Sequence, residues 1–403
     1  MINYHTLFIA FLLRLALGNY VKLNFDVFLD SANLYMYGGS HNDLYIWTID
    51  TEAKYTRISN ALYETTDSHS ETKVFKGEMT MYLREGEVKG ELYEDKFFFD
   101  EDKASMNVIN NLNYIVYRNN GLEIIDPSVL AFAFKVNKEN YSLTHLLKNK
   151  GTIDKRQFGI EKDINGGCIY LGGFPDEYII NDSVSKFKVQ TRRGLWEIPL
   201  SYIYIGNISY VYENVYYENE YNAIMATGTK NILAPKQFYQ KYIIDYYLKE
   251  YIGNNTCSKK DYGNYDITCK CDDIRYLEAI SFIFGNKQFT FTYEDLFYTF
   301  EQLCLFAIVQ NTKDDEWKFG LTFLLKYKTL FDYDSKSISF YSKDELPSID
   351  LDILFPKNRI IKWISILIVI IVLLFLFIYI RKYIKGRKQR HMNKIMSDVY
   401  SKI

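Results

Sequence analysis

Apolar and polar residues alternate with period two along much of this chain. Lys186-Phe187-Lys188-Val189-Gln190 and Ser337-Ile338-Ser339-Phe340 are two such stretches, and this period marks strands with one buried face. The abundant Tyr, Phe, Ile and Val favour strands as well. Helical spacing is sustained in few places, of which residues 235–248 and 141–150 are the best. The pattern therefore predicts a mostly β protein. In LWEIPLSYIYIGN, residues 195–207, it predicts a strand pair containing Trp196. WKFGLTFLLKYKTLFDYDSKSISFY, from Trp317 onward, reads as a strand into Gly320, an apolar helical turn, a strand, an Asp-containing hairpin turn and a last alternating strand. In NAIMATGTKNILAP, residues 222–235, an apolar run enters the small-residue turn Ala226-Thr227-Gly228-Thr229, and two apolar residues leave it before Pro235. Such a segment delivers a tight loop from a buried strand.

The two ends break the pattern. Residues 7–17 are apolar apart from Arg14 and stop at Gly18, the length of a signal-peptide core, so residues 1–18 are expected to be a signal peptide. Residues 363–380 carry no charge, and Ile360-Ile361 extend the run, which predicts a transmembrane helix over 360–380. Arg381, Lys382, Lys385, Arg387, Lys388 and Arg390 follow at once. The excess of basic residues places the 381–403 tail in the cytosol and makes the chain a single-pass membrane protein. Its larger portion then lies outside the cell or in an endomembrane lumen. Met392, Ile395, Met396, Val399 and Ile403 fall at helical spacing, so a short amphipathic helix and a frayed terminus both remain open for the tail.

Charge and cysteines add to this picture. Residues 381–403 hold eight Lys/Arg against one Asp, while the whole chain carries a net charge of −2. The rest is therefore acidic, which argues against nucleic acid as a partner, and the basic tail suits an anionic leaflet. The 403 residues, with 17% aromatics, can build two ordinary cores. Four of the five cysteines, Cys257, Cys269, Cys271 and Cys304, cluster in one region of a chain that enters the secretory route, where disulfides persist. Cys269-Lys270-Cys271 has neither zinc nor thioredoxin spacing, so no metal and no redox chemistry is expected. Cys168, in the apolar stretch Cys168-Ile169-Tyr170-Leu171, reads as a buried free thiol. Sequons at Asn140, Asn181, Asn207 and Asn254 permit glycosylation. No cofactor-binding motif stands out.

Taken in order, these landmarks resemble the pepsin-like aspartic peptidases. Trp196, Ile198 and Leu200 match the second lobe's W-x-I-x-L strand. Ile224, Met225, Thr227, Gly228 and Thr229 match its [IV]-[VIA]-D-[TS]-G-[TS] loop, and Ile232, Leu233, Ala234 and Pro235 echo the segment after it. Trp317, Phe319, Gly320, Phe323, Leu324, Tyr327, Phe331 and Asp332 match the family's closing signature, with Leu321 where the family has Asp. In the first lobe, FDVFLDSANLYM (residues 25–36) resembles the first catalytic turn. FKGEMTMYLREGEVKGELYED (residues 75–95) resembles the flap, with Tyr82 at the flap tyrosine and Gly90 and Asp95 in place. The resemblance covers about residues 20–345. It implies a bilobal pepsin-like fold with an N-terminal lobe over 19–178, a C-terminal lobe over 179–345, and a juxtamembrane stalk over 346–359. It also implies the disulfide Cys271–Cys304, which leaves Cys257 and Cys269 as a second pair.

The family's chemistry uses one carboxylate from each lobe, sharing a proton so that acid and base are present together. The second position here is Ala226. The first is Asp30, with Ser31 supporting it as Thr227, Gly228 and Thr229 support the other loop; an alignment without gaps puts Phe28 there instead. The broken dyad implies a membrane-anchored, catalytically inactive relative that binds a peptide or protein in its cleft. An active peptidase with another acid, and an adhesion or display protein reusing the fold, are the alternatives.

Overall fold

The computed structural model describes residues 20–28, 31–38, 43–59, 73–83, 86–98, 108–117, 128–134, 142–163, 166–190, 192–206, 208–210, 221–262, 265–348 and 356–400. The signal-peptide segment, Asn140 and Asn207 lie outside them. Two compact units result, residues 1–347 and 348–403.

The first unit is built from three sheets of thirteen, eight and four strands. Two sets of four strands in it repeat one pairing pattern. In the N-terminal half, Asp43–Asp50 runs parallel to Ser128–Ala131, which lies antiparallel to Arg57–Ser59, which is parallel to Val108–Tyr117. In the C-terminal half, Tyr221–Met225 runs parallel to Trp317–Phe319, which lies antiparallel to Ile232–Ala234, which is parallel to Ile308–Gln310. This duplication is the bilobal architecture expected from the sequence.

Aromatic packing welds the halves. Phe158 stacks on Phe331 at 4.5 Å between centroids, and Trp196 meets Phe331 edge-on at 5.1 Å. Phe132 O accepts hydrogen bonds from Trp196 Nε1 at 2.7 Å and from the Tyr333 hydroxyl at 3.1 Å. Buried indole and phenol groups need such partners, and burial pushes the Tyr333 phenol well above its ordinary pKa. The outer strands of the C-terminal half are stapled by Cys257–Cys269 and Cys271–Cys304. Cys168 is buried and unbridged, its thiol pushed up to about 11 by burial and by Asp163 beside it.

The closing segment folds as its pattern predicts, into strand Trp317–Phe319, helical turn Leu321–Leu324, and strands Lys328–Asp332 and Ser337–Ser342. Gly320 is required between the first two, because a Cβ there would sit 2.3 Å from Asn231 O and 2.5 Å from Thr229 O. Three local expectations are corrected. Residues 195–207 contain one strand, Glu197–Ile205, rather than a pair; it meets Tyr221–Met225 along its first part and Ile280–Phe284 beyond the irregularity at Leu200/Tyr202. Ser337–Ser342 is buried on both faces at its start, Ser337 and Ser339 included, because Ser183–Lys188 and Lys328–Asp332 flank it. Residues 235–248 form a short α-helix, Lys236–Phe238, and then the wider π-helical Tyr239–Tyr247, where Leu248 N–H reaches Ile243 O. The other helix forms as Leu143–Asn149.

In the second unit Pro356–Tyr400 is one helix. Ser365–Lys388 within it is apolar enough to cross a membrane, with mean hydropathy 2.5. The backbone remains helical to Tyr400, which corrects the reading of the tail as a frayed terminus.

Candidate functional site

The small-residue turn after Tyr221–Met225 is buried at Ala226 and Thr227 and emerges at Gly228. Ala226 N–H donates to Phe319 O at 2.9 Å, so the second-lobe signature holds the turn from one side. From the other side it meets the end of strand Asp43–Asp50 and the turn that follows, Thr51-Glu52-Ala53. Thr51 Oγ1 donates to Met225 O at 2.6 Å and accepts Thr227 N–H at 3.0 Å. In return Thr227 Oγ1 donates to Ile49 O at 2.7 Å and accepts Thr51 N–H at 3.1 Å. Both threonines are fully buried, and these hydrogen bonds satisfy both hydroxyls and the backbone groups they meet.

This exchange is symmetric, and the symmetry fixes the correspondence between the loops. Ile49 matches Met225 and Thr51 matches Thr227, so Asp50 is the counterpart of Ala226 and Glu52 of Gly228. The Asp50 carboxylate leans toward the second loop: a Cβ on Gly228 would lie 3.1 Å from Asp50 Cγ. Its Oδ1 accepts the Glu52 N–H at 2.7 Å. Gly228 is thus the position where backbone must pass close to a carboxylate, which a side chain would obstruct.

Sequence reasoning placed the first-lobe acid elsewhere. Asp30 lies outside the described residues, and on either side of it Phe28 and Ser31 pair directly across a hairpin of Val21–Phe28 with Ser31–Gly38. It is Thr51 that makes the hydrogen bonds to the Ala226 loop, following strand Asp43–Asp50, which pairs with Ser128–Ala131, whereas Ser31 opens strand Ser31–Gly38. The missed signal is Ile49-Asp50-Thr51, which keeps the I-D-T of the family's loop while Glu52 replaces its glycine. Thr227 and Gly228 follow Ala226 in the turn, and Thr229 O accepts the Leu321 N–H at 2.9 Å.

Tyr82 lies on the hairpin of Val74–Leu83 with Gly86–Phe98, opposite Glu87 and one pair from its end. Asn181 and Asn254 are exposed. Apart from the paired loops, Val27, Lys162, Gly166, Tyr298, Leu325 and neighbouring residues line a cavity of about 480 Å³. Among its charged residues, Lys326 pairs with Asp295, and Lys230 lies over the Tyr298 ring at 3.6 Å.

The family model described as eukaryotic aspartyl protease matches residues 30–343. Plasmepsin VII of Plasmodium falciparum (isolate NF54) is 28% identical over 223 residues, which is 48% of this chain and 46% of that protein. Plasmepsin VII of Plasmodium berghei (strain Anka) is 30% identical over 224 residues, 49% of this chain and 45% of its own. Plasmepsin IV of Plasmodium falciparum (isolate 3D7) is 28% identical over 204 residues, with 48% and 40% covered. The chain spans about half the length of the curated relatives it matches.

Proposed function

This chain belongs to the eukaryotic aspartyl protease family, and we propose that it is a membrane-anchored, catalytically inactive member that binds an extended peptide segment without cutting it. The observation that carries the reading is the counterpart of Asp50, which is Ala226. Peptide hydrolysis by an aspartic dyad needs one ionised carboxylate to take a proton from water and one neutral acid to polarise the scissile carbonyl. Two carboxylates in contact supply both, because like charges at that distance do not both ionise. Asp50 alone can accept a proton but has no neutral acid beside it at position 226, and general acid–base catalysis of this kind contributes about 10²–10⁴-fold.

What remains is a site for holding a ligand. Tyr82 stands on a flap-like hairpin, and the threonine exchange keeps the two loops in the family's arrangement. The signal peptide over 1–18, the anchoring helix and the basic tail give a type I topology, with the peptidase-like unit outside the cytosol and residues 381–403 inside. The lobe boundaries 19–178 and 179–345, and glycans on exposed Asn181 and Asn254, belong to the same reading.

The deciding experiment uses the full chain in detergent with a denatured protein substrate, from about pH 3 to about pH 7, a range that covers the upper titration of a proton-sharing carboxylate pair. Asp50→Asn and Ala226→Asp are assayed beside it. The wild-type chain is expected to cleave no faster than Asp50→Asn, yet to retain peptides from a displayed random library. Cleavage by the wild type that Asp50→Asn abolishes would replace this reading with that of an active peptidase using another acid. Activity gained in Ala226→Asp and lost again with Asp50→Asn would show that the missing carboxylate alone silences the site.

A further inference from the structure

We propose that Lys318 and Glu52 form a latch between the two halves that positions the Asp50 carboxylate, taking over the mutual restraint that a second acid would provide. The inference rests on the reading above that the Asp50 and Ala226 loops form the ligand site. Lys318 lies on Trp317–Phe319, opposite Ile224 on one neighbouring strand and Leu233 on the other, and its side chain is only 7% exposed. A buried ammonium is costly unless it is paired and hydrogen-bonded. Lys318 Nζ meets Glu52 Oε1 at 2.5 Å and Asp314 Oδ2 at 3.5 Å.

Glu52 is the residue where the family's loop has glycine, and it acts in two directions. Its side chain is held by the C-terminal half through Lys318, while its N–H donates to Asp50 Oδ1 at 2.7 Å. Fixing the Glu52 side chain therefore fixes the peptide group that orients Asp50. The counterpart of Glu52, Gly228, has no side chain, so the latch exists on one side of the pseudosymmetric pair alone. In a complete dyad the two carboxylates restrain each other through their shared proton. Ala226 cannot, and the ion pair supplies a restraint of different chemistry at the same loop.

Hydrogen exchange of the full chain in detergent tests this, with Lys318→Met, Glu52→Gln and Lys318→Arg. Lys318→Met and Glu52→Gln are expected to speed exchange in peptides covering residues 49–55 and 226–230 by about tenfold through local opening, leaving residues 328–342 as in the wild type. Lys318→Arg, which keeps the charge facing both Glu52 and Asp314, is expected to retain protection. The proposal is overturned if residues 49–55 exchange at the wild-type rate in Glu52→Gln, if exchange rises equally in residues 328–342, or if Lys318→Arg loses protection. Should Lys318→Met not fold, Glu52→Gln decides, since it keeps the side-chain shape and alters the less buried partner. No peptide or cleavage enters this measurement, so failure of the latch and failure of the peptide-binding reading are told apart.

Discussion

Thr51 and Thr227 each use one hydroxyl as donor and acceptor across 176 positions of chain. Replacing Thr51 by Val keeps its shape but strands Thr227 N–H and Met225 O in a dry interior. Each buried unsatisfied group costs about 1–3 kcal/mol. Thr51→Val is accordingly expected to lower unfolding stability by about 2–4 kcal/mol, and Thr51→Ser by much less, in denaturant titrations of the detergent-solubilised chain. A Val variant as stable as wild type would mean the exchange contributes little. The second loop was legible because Ala226 is framed by unaltered neighbours, Met225 and Thr227-Gly228-Thr229. The first was hidden by one residue, Glu52, whose bulk removes the glycine that marks such turns. Residues 25–36 also offered an acid between apolar runs and drew the assignment to Asp30.

Among the elements, the strands Lys328–Asp332 and Ser337–Ser342 were legible in the sequence, and the Asp-containing turn between them explains why. Asp332 closes it: Oδ1 accepts Asp334 and Ser335 N–H at 2.9 Å each, and Oδ2 accepts Gln157 Nε2 at 2.8 Å from a neighbouring strand. Burial alone would raise its pKa, but the Ser335 backbone and hydroxyl, Gln157 and the Asp334 N–H outweigh it and leave the carboxyl below its ordinary 3.8. Since the folded value is the lower one, the carboxylate stabilises the fold fully above the ordinary aspartate range, and that contribution is lost as pH falls through the depressed value. Wild type should exceed Asp332→Asn in stability near neutrality, with the gap closing in strong acid. A gap that stays constant with pH would contradict this. The element readings that failed did so for non-local reasons. Burial of Ser337 and Ser339 depends on two flanking strands, and the continuous strand Glu197–Ile205 depends on partners on both sides.

The whole molecule joins a duplicated β unit to a helix able to span a membrane. With the proposed topology, protease added to the cytosolic side of sealed microsomes should remove the 381–403 tail and spare the larger portion. Digestion of the larger portion instead would invert the orientation. Uninterrupted apolarity and period two are local properties, so the helix able to span a membrane and the strand-rich character could be read from the chain alone, while the two disulfide pairings followed from the resemblance to the pepsin-like family. Which acid faces Ala226, and how Lys318 and Glu52 meet, emerged only once the chain was folded. Those depend on loops delivered by strands far apart in the chain, where hydroxyl and backbone groups must satisfy one another in a buried space, and no local period records that pairing.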